Sequence, residues 1–155
     1  MKSNLCCYMI GSMEFRTYDE LKYEHYYVRS QLSALGIDKI IDPLIKEKHK
    51  PGKKVSLTKC GVAPKKVYEI DMQAVEEANI LLWITGDVIS EGSITEIATG
   101  GAWNRWNKKP KKLIIIVSPK RYIKKLVHFS NFHVGVQIVP TVDDAVKIIK
   151  RRYKL

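Results

Sequence analysis

Three short runs in this chain are apolar at every position: Leu5 to Ile10, Ile80 to Ile84 and Leu113 to Val117. A strand sends successive side chains to opposite faces, so a run that is apolar throughout needs cover on both, as central strands of a parallel sheet have. The segments between the runs carry a helical period. Thr17-x-x-Glu20 is a capping-box signature, and Leu21, Val28, Leu32 and Leu35 recur at helical spacing until Gly36 supplies a stop. Ile37 to Ile41 is a second short strand closed by Asp42-Pro43, because the residue before proline prefers extended backbone. Val67, Ile70, Met72 and Val75 mark a helix over Val67 to Ala78, with Asp71 near its N-terminal end. Gly86 to Gly92 is a loop, and Ser93 to about Trp106 is the next helix. After Ser118-Pro119, a weaker segment near Tyr122 to Phe129 precedes a fifth strand, Val136 to Val139, and an amphipathic helix, Val142 to Tyr153.

Strands alternating with helices imply right-handed βαβ crossovers. The expected fold class is α/β: three layers around a five-stranded parallel sheet, flavodoxin-like or Rossmann-like, in the order 2-1-3-4-5. Ligands of such sheets bind beyond the C-terminal strand ends at the topological switch point, here between strands one and three. That edge gathers Gly11, Ser12, Asp71, Ser90 to Ser93 and Glu96.

At 155 residues the chain has the length of one domain, and residues 1–155 are expected to form one. Its opening lacks the three-part pattern of a signal peptide, and no apolar stretch reaches the roughly 18 residues that span a bilayer. A cytoplasmic protein without membrane contact is expected. Cys6, Cys7 and Cys60 are odd in number, and Cys6 and Cys7 point to opposite faces of a strand, so a disulfide framework is not expected. His25, His49, His128 and His133 form no paired ligand spacing with them, so neither a metal nor any other cofactor is expected.

The chain carries 27 Lys and Arg against 16 Asp and Glu, a net charge of +11. The cations cluster at Lys46 to Lys54, Lys108 to Lys112, Lys120 to Lys125 and Lys147 to Lys154. Such a surface attracts anions, and it equally suits a solvated, solubilising face. Lys46 to Lys65, with Pro51, Gly52, Gly61 and Pro64, reads as a long surface loop.

Two carboxylates converging on one cleft suit glycosyl transfer through an oxocarbenium-like transition state, one attacking and the other handling a proton. Glu96, near the first turn of its helix, is expected to be held ionised by the helix dipole and available as a nucleophile. A first-turn Glu can equally do no more than complement that dipole, and Asp71 can be an ordinary helix-start acid.

Four motifs bear on that choice: Tyr8-Met9-Ile10-Gly11-Ser12, Asp42-Pro43-Leu44, Asp71 ahead of Val75-x-x-Ala78-Asn79-Ile80, and Ser90-Glu91-Gly92-Ser93-Ile94-Thr95-Glu96. Over residues 5 to 118 the chain resembles the nucleoside 2-deoxyribosyltransferase superfamily. The resemblance implies that Glu96 is the nucleophile of a covalent glycosyl-enzyme intermediate, that Asp71 assists at sugar or base, and that Tyr8 lies beside the nucleophile. It also implies that Gly11, Ser12, Ser90, Gly92 and Ser93 frame the substrate, and that the protein is a homo-oligomer sharing its active site. Asn131 or His133 would be the residue donated to the neighbouring subunit. The superfamily includes base-exchanging transferases and hydrolases of nucleoside 5'-monophosphates. The transferases place an Asp where Ser90 stands, whereas Ser90 and Ser12 are the types the hydrolases use on phosphate. The hydrolases usually follow Gly-Ser with an Arg; here the stretch is Met13-Glu14-Phe15-Arg16, and Glu14 would oppose phosphate.

The expected function is therefore cleavage of the N-glycosidic bond of a nucleotide or nucleoside, with the nucleotide N-glycosidase reading ahead of the transferase. An alternative from another class is a noncatalytic nucleic-acid or nucleotide-binding module using Trp103, Arg105, Trp106 and Lys108 to Lys112. Trp83 and Trp103 are read as packing residues.

Overall fold

The computed structural model describes residues 4–11, 16–46, 64–86, 90–107, 111–118 and 135–155. Ser12, Asn131 and His133, most of the basic 46–65 loop and the weak 122–129 segment lie outside the described residues. Five strands, β1 (Cys6–Gly11), β2 (Lys39–Ile41), β3 (Ile80–Ile84), β4 (Leu113–Val117) and β5 (Val136–Val139), form one parallel sheet in the order β2-β1-β3-β4-β5. The helices are α1 (Tyr18–Ala34), α2 (Pro43–Lys46), α3 (Pro64–Glu77), α4 (Glu91–Trp106) and α5 (Val142–Tyr153). None is long and apolar enough to cross a membrane.

The two-residue period of β1, β3 and β4 divides the core into two layers. Cys7, Met9, Ile80, Leu82, Ile84, Ile115 and Val117 pack on Val28 and Leu32 of α1 and on Ala145 and Ile149 of α5. Their neighbours Cys6, Tyr8, Ile10, Leu81, Trp83, Ile114 and Ile116 pack on Ala74 and Val75 of α3 and on Ile97 of α4. Both faces are thereby covered, and Trp83 is fully buried as a packing residue. Cys6 and Cys7 fall on opposite faces as free thiols.

The capping box is formed in full: Thr17 accepts from Glu20 N–H while the Glu20 side chain accepts from Thr17 N–H. Gly36 leaves α1 at a φ of 79°, the left-handed conformation in which glycine carries no Cβ penalty. Several boundaries differ from the sequence reading, β1 by one residue at each end. β2 covers only residues 39–41, since this edge strand pairs with β1 alone. Pro43 and Pro64 each open a helix, as a residue without an N–H can at the first helical position, so α3 starts three residues earlier than its apolar period indicates. α4 begins at Glu91, two residues earlier than expected, because Ser90 is the N-cap and accepts from Ser93 N–H.

α4 approaches the sheet closely at Gly100. A Cβ there would stand 2.3 Å from Leu81 Cδ1 and 3.3 Å from Ile114 Cδ1, and both neighbours are fully buried. Ala is favoured over Gly in a helix by about 1 kcal/mol, whereas overpacking a filled core costs roughly 1–3 kcal/mol. The clash is expected to win, because neither neighbour has room to turn away. Gly100→Ala should lower the thermal midpoint in calorimetry, and a midpoint at or above that of the parent would show that α4 is free to shift.

Candidate active site

Tyr8 sits on the face of β1 that looks toward α3 and α4, two residues before the register pairing of Ile10 with Trp83. Its hydroxyl is 2.8 Å from Glu96 Oε1 and 3.2 Å from Asp71 Oδ1. Three chain segments separated by 63 and 88 positions thus meet at one phenol oxygen. Tyr8 is 2% exposed and Glu96 8%, while Asp71 is half-buried.

The position of the two acids departs from the sequence reading. With Ser90 as N-cap, Glu96 lies in the second turn of α4, where the terminal dipole has largely decayed. Burial instead pushes its carboxyl up to about 8; the Tyr8 hydrogen bond pulls it down and the neighbouring Asp71 charge pushes it further up. Burial thus favours the protonated form of Glu96, in the opposite direction to the helix dipole. Asp71 lies in the middle of α3 and is no helix-start acid. The Tyr8 phenol is raised as well, by burial and then by the charges of Glu96 and Asp71, so it keeps its proton.

One phenol hydrogen cannot serve two carboxylates. The cluster is satisfied when it holds one further proton: the protonated acid donates to the phenol oxygen and the phenol donates to the other carboxylate. This gives a hydrogen-bonded chain Glu96–Tyr8–Asp71.

The raised Glu96 carboxyl links stability to pH. Between the ordinary carboxylate range and about 8, the folded chain holds a proton that the unfolded chain has lost, so stability falls as pH rises through that window. At roughly 1.4 kcal/mol per pH unit of displacement the effect amounts to a few kcal/mol. Urea midpoints at pH 5 and pH 9 should decline more steeply for the parent than for Glu96→Gln, which has no proton to lose. Equal declines would contradict the burial of an acidic Glu96.

The α4 N-terminus is joined to the end of β1. Ser93 Oγ donates to Gly11 O at 3.4 Å and lies 2.8 Å from Ser90 Oγ, with both serines buried. Gly11, Ser90 and Ser93 are thereby brought together. Gly92 is exposed, and a Cβ on it would meet nothing within 4 Å, so packing there does not demand glycine. Arg16 lies against Gly86 at the end of β3, where its guanidinium would be 3.2 Å from an added Cβ. It pairs through both terminal nitrogens with Glu24, at 2.7 and 3.3 Å.

Lys112 is committed to structural contacts, with partly buried Trp103 beside it. Lys112 Nζ stands 4.5 Å from the Trp103 ring centroid and donates to Glu76 O and Ala78 O, which neutralises the carbonyl end of α3. Trp106 is 77% exposed with Arg105 over its ring, and residues 108–110 of the same candidate surface lie outside the described residues.

Sequence reading missed His25, which lies between Leu21 and Val28 on the buried face of α1 and pairs with Asp42 at 2.8 Å. Its spacing with Leu21, Val28 and Leu32 was the available signal. Among the described residues no cluster of three or more His, Cys, Asp or Glu could hold a metal ion.

Neither a family model nor a curated protein matches the chain by sequence. Solved structures do match its fold. A conserved protein from Enterococcus faecalis V583 superposes with a TM-score of 0.67 at 15% identity, covering 97% of this chain and 99% of that one. BcmB, a CMP N-glycosidase from Clostridium botulinum, superposes with a TM-score of 0.57 at 13% identity, covering 94% and 98%.

Proposed function

We propose that the chain cleaves the N-glycosidic bond of a nucleoside 5'-monophosphate, with Glu96 as the nucleophile. The observation that carries this reading is the Glu96–Tyr8–Asp71 chain, two carboxylates joined through one buried phenol between β1, α3 and α4. The fold shared with a CMP N-glycosidase supports it, as does the Ser90 to Glu96 motif.

The arrangement suits a proton transfer that prepares both acids at once. Tyr8 passes the shared proton from Glu96 to Asp71, giving its own hydrogen to Asp71 as it takes one from Glu96. Glu96 is then an anion able to attack C1', and Asp71 is an acid able to protonate the departing base. Attack forms the Glu96–C1' ester as the C1'–N bond breaks and its electrons leave with the base. Asp71, now ionised, takes a proton from the water that opens the ester, so the sugar phosphate leaves with retained configuration. With a second base in place of water, the same steps make a transferase.

The test is to incubate the protein and its Glu96→Ala variant with nucleosides and their 5'-monophosphates, with and without a second free base, and to separate products by chromatography. Glu96-dependent release of base from monophosphates is expected. Base exchange on unphosphorylated nucleosides would establish the transferase instead. No Glu96-dependent product would leave the binding-module reading, with Trp106 and Arg105 as its exposed contacts.

Ser90 bears on the phosphate. Asp caps a helix as well as Ser does, so Ser90→Asp should fold while adding a charge that repels phosphate. A fall of about tenfold or more in kcat/KM for monophosphates, at roughly one tenfold step per 1.4 kcal/mol, is expected with unphosphorylated nucleosides spared. Equal losses on both substrates would show that Ser90 does not face the phosphate.

A further inference from the structure

On the opposite side of the sheet from Glu96, α1 and the β2–α2 corner enclose a groove of about 370 Å³ lined by Tyr18, Lys22, Tyr23, His25, Tyr26, Arg29, Asp42 and Leu44. It shares no lining residue with the Glu96 cluster. Two features of the groove go beyond what packing requires.

The first is a buried pair left half-satisfied. His25 is 2% exposed and Asp42 3%. Asp42 Oδ1 accepts from Leu44 N–H at 3.0 Å and lies 2.8 Å from His25 Nδ1. The His25 ring meets Asp42 through Nδ1, which leaves Nε2 on the side of the ring away from it. Among the described residues, neither His25 Nε2 nor Asp42 Oδ2 has a hydrogen-bond partner. A buried polar atom left unpaired costs roughly 1–3 kcal/mol, so two of them along one groove call for groups that would pair them.

The second is the character of the wall. Tyr18, Lys22, His25 and Arg29 follow one another at helical spacing, so α1 turns them all toward this side. Tyr23 and Tyr26, 75% and 70% exposed, present aromatic rings to solvent. Among the described residues neither Lys22 nor Arg29 forms an ion pair, whereas Arg16 on the same helical entrance is committed to Glu24.

We propose that this groove is a second ligand site, for a planar aromatic anion of the size of a nucleoside monophosphate. Tyrosine rings stack on a base of any identity, and the two free cations suit a phosphate. His25 and Asp42 line the same groove, so a ligand there lies beside their unpaired atoms. The volume lies within the usual range for small-molecule pockets. The site is independent of the N-glycosidase reading, because none of its residues takes part in that chemistry.

The test uses the full-length Glu96→Gln chain, which should bind nucleoside 5'-monophosphates without turning them over. Titration calorimetry with each of the four ribonucleoside 5'-monophosphates should show two binding events per chain for at least one of them. Lys22→Ala/Arg29→Ala should weaken one event tenfold or more and leave the other in place. Long-range ¹H–¹⁵N spectra should show the His25 Nε2 resonance moving with the event that this double variant loses. A single event indifferent to Lys22→Ala/Arg29→Ala, or two events with His25 Nε2 unmoved, would overturn the proposal. Inorganic phosphate binding as tightly as any monophosphate would also overturn it, as an anion site with no role for the tyrosines. Failure of the Glu96 reading shows separately, as absent base release from the parent chain.

Discussion

Glu96→Gln is expected to lower base release from nucleoside 5'-monophosphates by at least about 10³-fold while leaving the fold intact. The magnitude follows from what the amide cannot do: it has no anionic oxygen to form the C1' ester, and the slow uncatalysed route is what remains. The fold should hold because the amide N–H can donate to the Tyr8 oxygen as the protonated acid does, and because the variant removes a buried acid instead of adding a charge. Circular dichroism and binding of the substrate monophosphate would separate a chemical loss from an unfolded chain. A variant that folds, binds and retains more than a tenth of the parent rate would exclude Glu96 as the nucleophile.

Asp71→Asn should cost about 10²–10⁴-fold in kcat/KM, the span of a lost general acid–base, and should also change the shape of the pH profile. In the parent the cluster works while it holds its one proton, so kcat/KM should fall as pH rises past about 8, the range to which burial pushes Glu96. The Asn variant has no acid to lose. Removing the Asp71 charge also removes one of the influences that raise Glu96, so its carboxyl should ionise at lower pH. The residual activity of Asp71→Asn should therefore rise with pH to a plateau reached below about 8 and stay level where the parent falls. A variant slowed to the same degree but keeping the parent's alkaline fall would make Asp71 a packing residue and place the acid elsewhere.

Much of the fold was legible because its strands are bounded sharply in composition. β3, β4, β5 and α5 run over the residues that the apolar patterns mark, since each run is flanked by polar or turn-forming residues. The sheet order followed from the βαβ alternation. Helix starts were less legible: Pro64, Lys65 and Lys66 carry no apolar period, and Ser90 as N-cap is visible only once its bond to Ser93 N–H is seen. That shift of two residues altered the electrostatics of the site. It places Glu96 in the second turn, beyond the reach of the helix dipole, so that burial becomes the largest influence on its carboxyl and pushes it up.

Tyr8, Asp71 and Glu96 could each be picked out as residues, but their meeting at one phenol oxygen depends on the pleat of β1 and on the packing of α3 against α4. A local pattern does not record either one. His25 was overlooked for the converse reason. Its place on an apolar helix face looks like ordinary core, and only the approach of Asp42 from the β2–α2 corner makes it part of a polar pair.

The most direct measurement of the central claim is mass spectrometry of the protein quenched with acid during turnover of a nucleoside 5'-monophosphate, followed by peptide mapping. The expected result is a peptide containing Glu96 that is heavier by one sugar-phosphate unit, with free base released in parallel and no adduct in Glu96→Gln. Base release with no adduct on any peptide, under a quench fast enough to stop turnover, would contradict covalent catalysis by Glu96.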